Sequence, residues 1–275
     1  MRKPYLYILT IFFFCCEEAL DFGTIDSVDT PVVQIQTSKT TFTEFPIEIE
    51  WEGNTTAREF VYELQYVDDP SIPHSWSESD TTSETSMDFN NLDEGNYMFS
   101  VQGLYNQDNI GAVETLYFTV DVIPGPALRI YPLNQTANVG DEIDVYLYFE
   151  EVPEEWAVTG LQVDIQINTN GLEFITDDFQ YGELITGFPG TTIYPDPSYS
   201  DDGMSVSIVG VADSSGTGIY GTGSIAKFRI RVLASSGTHE ILIYQEENAF
   251  QNINGDWHGF NEPGNGSVTV EEAGQ

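Results

Sequence analysis

The chain has 275 residues, enough for about two domains of ordinary size. Its 45 Asp and Glu residues outnumber eight Lys and Arg, giving a formal net charge of -37. Nucleic acid is excluded as a partner, because binding it requires basic side chains that neutralise phosphates. The hydrophobic content of 40% predicts folded domains with packed cores rather than a disordered acidic tail.

The N-terminus resembles a bacterial lipoprotein signal. Arg2 and Lys3 precede an apolar run, 5–14, that is too short to span a bilayer, and Cys15 and Cys16 close that run. The resemblance implies lipidation at Cys16 and a cell-surface or extracellular protein that meets the membrane only through its lipid anchor. Lipidation at Cys15, simple cleavage and secretion, and an uncleaved anchor are the alternatives.

No cysteine follows Cys16, so the exported part must be stable without disulfides. Removing residues 1–15 leaves six basic residues against 45 acidic ones. A surface this acidic is typical of proteins adapted to a saline, halophilic habitat, where salt screens the repulsion between carboxylates. An acidic but otherwise ordinary secreted protein is the alternative interpretation.

Short runs of alternating hydrophobicity, bounded by Gly, Asn, Asp and Pro, predict an all-β chain of two β-sandwich domains. Pro124 and Pro126 flank Gly125 and interrupt one strand-like run before another begins. The predicted segments are a signal at 1–16, a flexible tether at 17–30, a first domain at 31–123, a linker at 124–126 and a second domain at 127–272.

The first domain carries the residue spacing of a tyrosine corner. Tyr97 follows the turn 92–96 and precedes the alternating run 98–105. This spacing resembles that of fibronectin type III and immunoglobulin-like domains, in which the Tyr hydroxyl bonds to a nearby turn backbone. The resemblance implies a structural role for Tyr97 and a spacer role for the domain, with ligand binding by the domain as the alternative.

The second domain contains an ordered set of motifs that resembles the cohesin domain. A Val-Gly-Asp turn precedes the second strand, a Gly-x-Gln-x-Asp run begins the third, a Gly-x-Gly-x-Ile-Ala-x-Phe run begins a later strand, and Asn-Gly-Ser-Val-Thr-Val closes the domain. These motifs occupy 139–141, 160–164, 221–228 and 265–270. The resemblance implies a nine-stranded jelly roll, without chemistry of its own, that binds a dockerin module through one sheet face.

In the family, that face consists of the third, fifth, sixth and eighth strands. We assign the eighth strand to 225–232. Alternation along each strand then predicts the outward, partner-binding side chains. They are Gln162, Asp164, Gln166 and Asn168 on the third strand, Ser205, Ser207 and Val209 on the sixth, and Lys227, Arg229 and Arg231 on the eighth. Thr192 and Tyr194 are the candidates on the fifth strand, which alternation does not place.

Lys227, Arg229 and Arg231 are three of the six basic residues that follow the signal, and they share one strand face. Two interpretations remain open. The three can pair across strands with Asp164 and its neighbours, or they can form a charged stripe that orients an acidic partner.

Other chemistry has weak support. Asn254 and Asp256 flank a glycine in a loop that is either a calcium site or a plain turn, and the full ligand pattern of a calcium loop is missing. Trp156 and Trp257 are candidates for stacking on sugar rings, although loop tryptophans also serve as packing anchors. The sequence shows no catalytic motif, and we predict neither an enzyme nor a cofactor or metal.

Two functions therefore stand. The first is an adaptor for a dockerin-like or other extracellular protein, operating in polysaccharide degradation. The second is a carbohydrate-binding module that attaches directly to polysaccharide. A flat polar face favours the first, and a row of coplanar exposed aromatic side chains would favour the second.

Overall fold

The computed structural model describes residues 29–68, 77–106, 109–186, 196–200, 203–209, 218–244 and 249–271. The predicted all-β fold is confirmed. The described residues form twenty strands and a single four-residue α-helix, α1 (Glu183–Thr186).

The first sandwich packs a three-stranded sheet, in the order β1-β3-β6, against a five-stranded sheet, in the order β2-β8-β7-β4-β5. Trp51 and Phe99, one from each sheet, meet in its core with ring centroids 5.6 Å apart. Its strands are β1 (Val33–Ile35), β2 (Thr41–Phe42), β3 (Ile47–Gly53), β4 (Glu59–Tyr66), β5 (Ser77–Thr82), β6 (Ser86–Phe89), β7 (Gly95–Asn106) and β8 (Asn109–Val120).

The second sandwich packs a four-stranded sheet, in the order β13-β16-β11-β9, against an eight-stranded sheet that contains the path β10-β20-β17-β12-β15-β14. Two short strands, β18 and β19, extend the larger sheet beside β12. The strands are β9 (Ala127–Tyr131), β10 (Asn134–Ala137), β11 (Glu142–Val152), β12 (Val158–Ile167), β13 (Leu172–Tyr181), β14 (Ser198–Tyr199), β15 (Gly203–Val209), β16 (Gly221–Val232), β17 (Gly237–Tyr244), β18 (Phe250–Asn252), β19 (Trp257–His258) and β20 (Gly266–Val270).

Two predicted local features explain how these strands are placed. Gly140 has φ +89°, a conformation that favours glycine, and it turns the chain into β11. The Tyr97 hydroxyl donates a hydrogen bond to the Asp93 carbonyl at 3.1 Å, as a tyrosine corner requires. The described part of the second sandwich has twelve strands rather than the predicted nine, because β10, β18 and β19 are additional short strands.

The two sandwiches contact each other directly. The Tyr131 side chain, at the end of β9, is buried among the core residues of the first sandwich, and Tyr146 and Tyr148 of β11 pack against the same cluster. The Tyr66 and Tyr131 ring centroids lie 6.4 Å apart across this contact. One end of the outer surface of the four-stranded sheet is therefore covered by the first sandwich.

Candidate functional site

The outer surface of the eight-stranded sheet is built around β12, whose side chains alternate between core and solvent. Val163 and Ile165 are buried, whereas Gln162 and Asp164 are exposed. We use the term polar face for eight of the outward side chains of β12, β15 and β17. They are Gln162, Asp164, Gln166, Ser205, Ser207, Glu240, Leu242 and Tyr244.

Strand register aligns these side chains in rows. Asp164 lies opposite Ser205 of β15 and opposite Tyr244 of β17. In the next row, Gln166 lies opposite Leu242. Directly opposite residues have Cβ atoms about 4.5–5.5 Å apart, so each row forms a continuous strip of surface.

The structure brings together five of the predicted partner-binding residues and leaves others apart. Asp164, Gln166, Ser205 and Ser207 lie on the polar face, as does Gln162. Asn168 lies in the turn beyond β12, where its carbonyl accepts hydrogen bonds from the Gly171 and Leu172 N–H groups, both at 2.9 Å. Thr192, Tyr194 and Cys16 lie outside the described residues.

Sequence reasoning missed three residues of the polar face, Glu240, Leu242 and Tyr244. Tyr244 has 50% of its surface exposed and stands in the row of Asp164. All three belong to β17, a strand for which no role was predicted. The signal was present, because Ile241 and Ile243 are buried and alternate with outward neighbours.

A cleft of about 270 Å³ opens at the edge of the polar face, beside β14. Asp164, Gln166, Ser205 and Tyr199 contribute to its walls. The Tyr199 hydroxyl oxygen is buried and has no hydrogen-bond partner among the described residues. Burial, together with the nearby Asp177 carboxylate, raises the pKa of Tyr199. The walls of the cleft therefore carry hydroxyl, amide and carboxylate groups that can form hydrogen bonds with a ligand.

The predicted placement of Lys227, Arg229 and Arg231 beside Asp164 is wrong. Their inward neighbours are buried as expected, but β16 lies in the four-stranded sheet, between β11 and β13. Alternation along a strand determines which side chains point outward and does not determine which sheet the strand joins. The three basic side chains therefore lie on the opposite outer surface of the second sandwich.

The predicted pairing with Asp164 is wrong for the same reason, because the acidic partners come from β11 and β13. Lys227 Nζ lies 2.8 Å from Asp144 Oδ2, and Arg229 Nε lies 3.2 Å from Asp144 Oδ1. Arg231 contacts Glu142 at 2.8 Å and Glu173 at 3.0 Å. We call these six residues, together with Asp178, which lies 2.9 Å from Arg229, the charge ladder.

The charge ladder changes the titration of its members. Partial burial raises the pKa of Asp144, but hydrogen bonds from Lys227 and Arg229 outweigh that effect, so the pKa is lowered overall. A hydrogen bond from Arg231 lowers the pKa of Glu142. The basic side chains of β16 are therefore occupied by carboxylates of their own chain, which opposes a role in recruiting an acidic partner.

The loop after β18 is a tight turn organised by one side chain. Asn252 Oδ1 accepts hydrogen bonds from the backbone N–H groups of Asn254 and Asp256, both at 2.9 Å. Asn252 Nδ2 lies 3.0 Å from His258 Nε2. No group of three or more His, Cys, Asp or Glu side chains within the described residues is arranged to hold a metal ion. The turn interpretation of this loop therefore accounts for its polar residues.

The two candidate tryptophans have different surroundings. Trp156 stacks on Phe250 with ring centroids 4.7 Å apart and on His258 at 5.6 Å, so it is a packing anchor. Trp257 is 52% exposed and lies opposite Gln251 on the edge strand β19. Only Trp257 is accessible enough to stack on a ligand.

In the described part of the chain, no helix has the length and apolar character needed to cross a membrane.

Comparisons with known proteins give structural likeness alone. No family model matches the sequence, and no curated protein matches it. A non-cellulosomal cohesin from the archaeon Archaeoglobus fulgidus is 20% identical, with a TM-score of 0.41 over 53% of this chain and 91% of that one. A type I cohesin from Pseudobacteroides cellulosolvens is 18% identical, with a TM-score of 0.41 over 54% and 95%. A chain of a type I cohesin–dockerin complex from Clostridium thermocellum is 18% identical, with a TM-score of 0.42 over 54% of this chain and 96% of that one.

Proposed function

We propose that the chain is a non-catalytic adaptor of the cell surface or extracellular space, whose second sandwich captures a dockerin-like protein module through the polar face. In this proposal Cys16 carries the lipid anchor, 17–30 is a tether, and the first sandwich is a spacer of the fibronectin type III kind. The adaptor would hold a partner that acts in polysaccharide degradation.

The observation that carries the proposal is the strand order of the eight-stranded sheet. When β10, β18 and β19 are left out of the count, β12, β14, β15 and β17 are the third, fifth, sixth and eighth strands. In this count β16, which contains the segment 225–232 predicted as the eighth strand, is the seventh. Strands β12, β14, β15 and β17 are neighbours in the order β17-β12-β15-β14. That is the set of strands that the sequence resemblance to cohesins implies for the binding face.

The chemistry of the polar face suits a protein partner. Asp164 and Glu240 are its only charged members, and the others are hydroxyl, amide or apolar groups, including the exposed ring of Tyr244. The cores of protein interfaces are enriched in aromatic residues and depleted of charged ones. The row of Ser205, Asp164 and Tyr244 therefore provides a contact centre that remains accessible in this chain.

The charge of the chain constrains the partner. All six basic residues that follow the signal lie in the described part, and each contacts an aromatic ring or a carboxylate of its own chain. Lys39 lies over Phe42, Arg58 over Tyr105, and Arg129 beside Glu150, while the other three belong to the charge ladder. The partner surface that meets the polar face should therefore be neutral or basic, because an acidic one would be repelled.

Direct attachment to polysaccharide is the second candidate, and Trp257 and Tyr244 are its supporting observations, since each is about half exposed. Tyr244 lies opposite Asp164, and Gln251, the neighbour of Trp257, lies opposite Gly160. Gly160 and Asp164 are four residues apart on β12, about 13 Å along the strand, and the polar side chain of Gln162 lies between them. Two separated rings favour glycan binding less than a row of coplanar rings would.

The test is a binding panel on the full exported chain. The chain is immobilised and presented with purified dockerin modules of several types and, separately, with cellulose, xylan and chitin. We expect capture of at least one dockerin module, with binding weakened by Tyr244→Ala. Tyr117→Ala is the matched control, because Tyr117 is 64% exposed on the first sandwich.

The other results of this panel would each count against the adaptor proposal. Retention on a polysaccharide that is lost in Trp257→Ala would establish the second candidate in place of the first. Absence of binding to every dockerin module, or equal loss in the Tyr244 and Tyr117 variants, would overturn the proposed role of the polar face.

A further inference from the structure

The contact between the two sandwiches contains a buried cluster of charged side chains. Asp93 and Glu94 precede β7 in the first sandwich, and Arg129 and Glu150 lie on β9 and β11 of the second. Their exposed fractions are 4%, 5%, 5% and 8%, so all four are withdrawn from water. Side chains of these types are almost never fully buried unless they are paired.

The carboxylates of this cluster tie the sandwiches together through backbone groups. Asp93 Oδ1 accepts a hydrogen bond from the N–H of Leu133 in the second sandwich. Glu94 Oε1 accepts hydrogen bonds from the N–H groups of Val122, at 2.7 Å, and Ile123, at 2.6 Å, in the segment that joins the sandwiches. Loss of either acceptor would leave buried donors without a partner.

The cluster is unbalanced in charge. Arg129 Nε donates to Glu150 Oε2 at 2.5 Å, whereas Arg129 Nη1 is buried without a hydrogen-bond partner among the described residues. With one guanidinium and three carboxylates, full ionisation would bury two uncompensated negative charges. Burial of unpaired charge is strongly unfavourable, and such groups tend to take up protons instead.

Among the residues that the structure describes, the other titratable groups around the cluster cannot supply positive charge, because they are tyrosines and one further carboxylate. Burial raises the pKa of Tyr66 to about 12, and it also raises the pKa values of Tyr97 and Tyr131. The facing groups are Tyr66, Tyr97, Tyr131, Tyr148 and, beside Tyr66, Asp68.

We propose that the contact between the sandwiches is a protonation-linked joint, in which Asp93 and Glu94 are protonated when the sandwiches are docked and weaken the docking when they ionise. The joint is independent of what the polar face binds. It would set the orientation of that face relative to the first sandwich according to pH.

The direction follows from the pKa values. Burial raises the pKa of Asp93 from 3.8 to about 7 and that of Glu94 from 4.5 to about 7, despite opposing hydrogen bonds and the Arg129 charge. A group whose pKa is higher in the docked state favours docking at low pH. Docking is therefore strongest below the ordinary carboxyl pKa, weakens as the pH rises through about 7, and changes little above it.

The test compares the full exported chain with an Asp93→Asn, Glu94→Gln variant, whose side chains keep their acceptor oxygens and cannot ionise. Small-angle scattering and thermal unfolding are followed from about pH 5 to about pH 8 at high salt, which screens surface repulsion. Glu63→Gln, Glu114→Gln is the matched control, because both glutamates are exposed on the first sandwich.

We expect the wild type and the control to gain interdomain flexibility and lose unfolding temperature as the pH rises, and the Asn/Gln variant to change much less. Parallel pH profiles in all three proteins would overturn the proposal. Carbon-13 titration of the side-chain carboxyls in the wild type decides independently of variant folding. Titration of Asp93 or Glu94 near pH 7 supports the joint, and titration of both at the ordinary carboxyl pKa overturns it.

Discussion

The two outer surfaces of the second sandwich differ in where their polar groups find partners. On the four-stranded sheet, Lys227, Arg229 and Arg231 are held by carboxylates of β11 and β13, and one end of the sheet is covered by the first sandwich. On the eight-stranded sheet, Asp164 and Tyr244 lie exposed in one row. The surface with more charge is therefore the one less available for binding.

This difference separates the roles of charge and accessibility. The basic cluster on β16 is an obvious candidate for a binding site in so acidic a chain. Its three side chains nevertheless form ion pairs with carboxylates of the same chain. Cross-strand ion pairs on a sheet stabilise that sheet modestly. Accessible hydroxyl, amide and aromatic groups are better candidates for a partner interface, because they leave less charge to be desolvated.

The largest expected effect belongs to the covered end of the four-stranded sheet. Arg129→Met should lower the free energy of unfolding by about 3–5 kcal/mol, because it leaves Glu150 buried without its partner. Urea unfolding measures this change. Arg129→Met combined with Glu150→Gln should recover part of the loss, since the unpaired Glu150 carboxylate is then removed as well.

Arg58→Met is the matched control for that experiment. Arg58 is exposed and lies over the Tyr105 ring at 4.4 Å, so its replacement should cost only about 0.5–1 kcal/mol. Equal losses at Arg129 and Arg58 would show that the buried ion pair has no special weight in the contact between the sandwiches.

The next effect concerns binding on the open surface. Tyr244→Ala should weaken capture of a dockerin module by about 30-fold, the loss typical of an interface hot spot worth about 2 kcal/mol. Arg229→Ala should leave the affinity within about twofold, because Arg229 lies on the other sheet. Titration calorimetry on both variants measures the comparison, and a reversed order of effects would contradict it.

A smaller effect is expected within the charge ladder. Lys227→Met should lower the free energy of unfolding by about 0.2–1 kcal/mol through loss of the pair with Asp144, and added salt should shrink the difference from wild type. Because the pKa of Asp144 is lowered, the contribution of this pair is present above pH 3.8 and is lost as the pH falls through the lowered value. A difference that grows with salt would be inconsistent with an ion pair.

The smallest effect is expected for the polar face itself. Gln162→Ala and Ser207→Ala should each change the free energy of unfolding by less than about 0.5 kcal/mol, because neither side chain has a described hydrogen bond that the fold depends on. A loss above about 1 kcal/mol in either variant would show that the polar face contributes to stability rather than being reserved for a partner.

Local features of this chain were predictable from sequence, and sheet membership was not. Alternation correctly separated Val163 and Ile165 from Asp164, and the spacing before Tyr97 predicted a hydrogen bond that the structure contains. These features depend on neighbours within a few residues. The placement of Lys227 depends on which strands pair, and no local pattern carries that information.

The burial of Arg129 illustrates a second limit. All five side chains of β9 are buried, since one side of the strand packs on its own core and the other side is covered at the first sandwich. A sequence pattern that assumes one solvent-facing side predicts an exposed Arg129. Contact with the first sandwich buries the Arg129 side of β9, and the Glu150 carboxylate is buried with it as the ion-pair partner of Arg129.

Hydrogen–deuterium exchange of the full exported chain, with and without a captured dockerin module, tests most directly which surface binds. We predict new protection in β12, β15 and β17, centred on Asp164 and Tyr244, and none in β16. Protection confined to β11 and β16 would contradict the assignment of binding to the polar face.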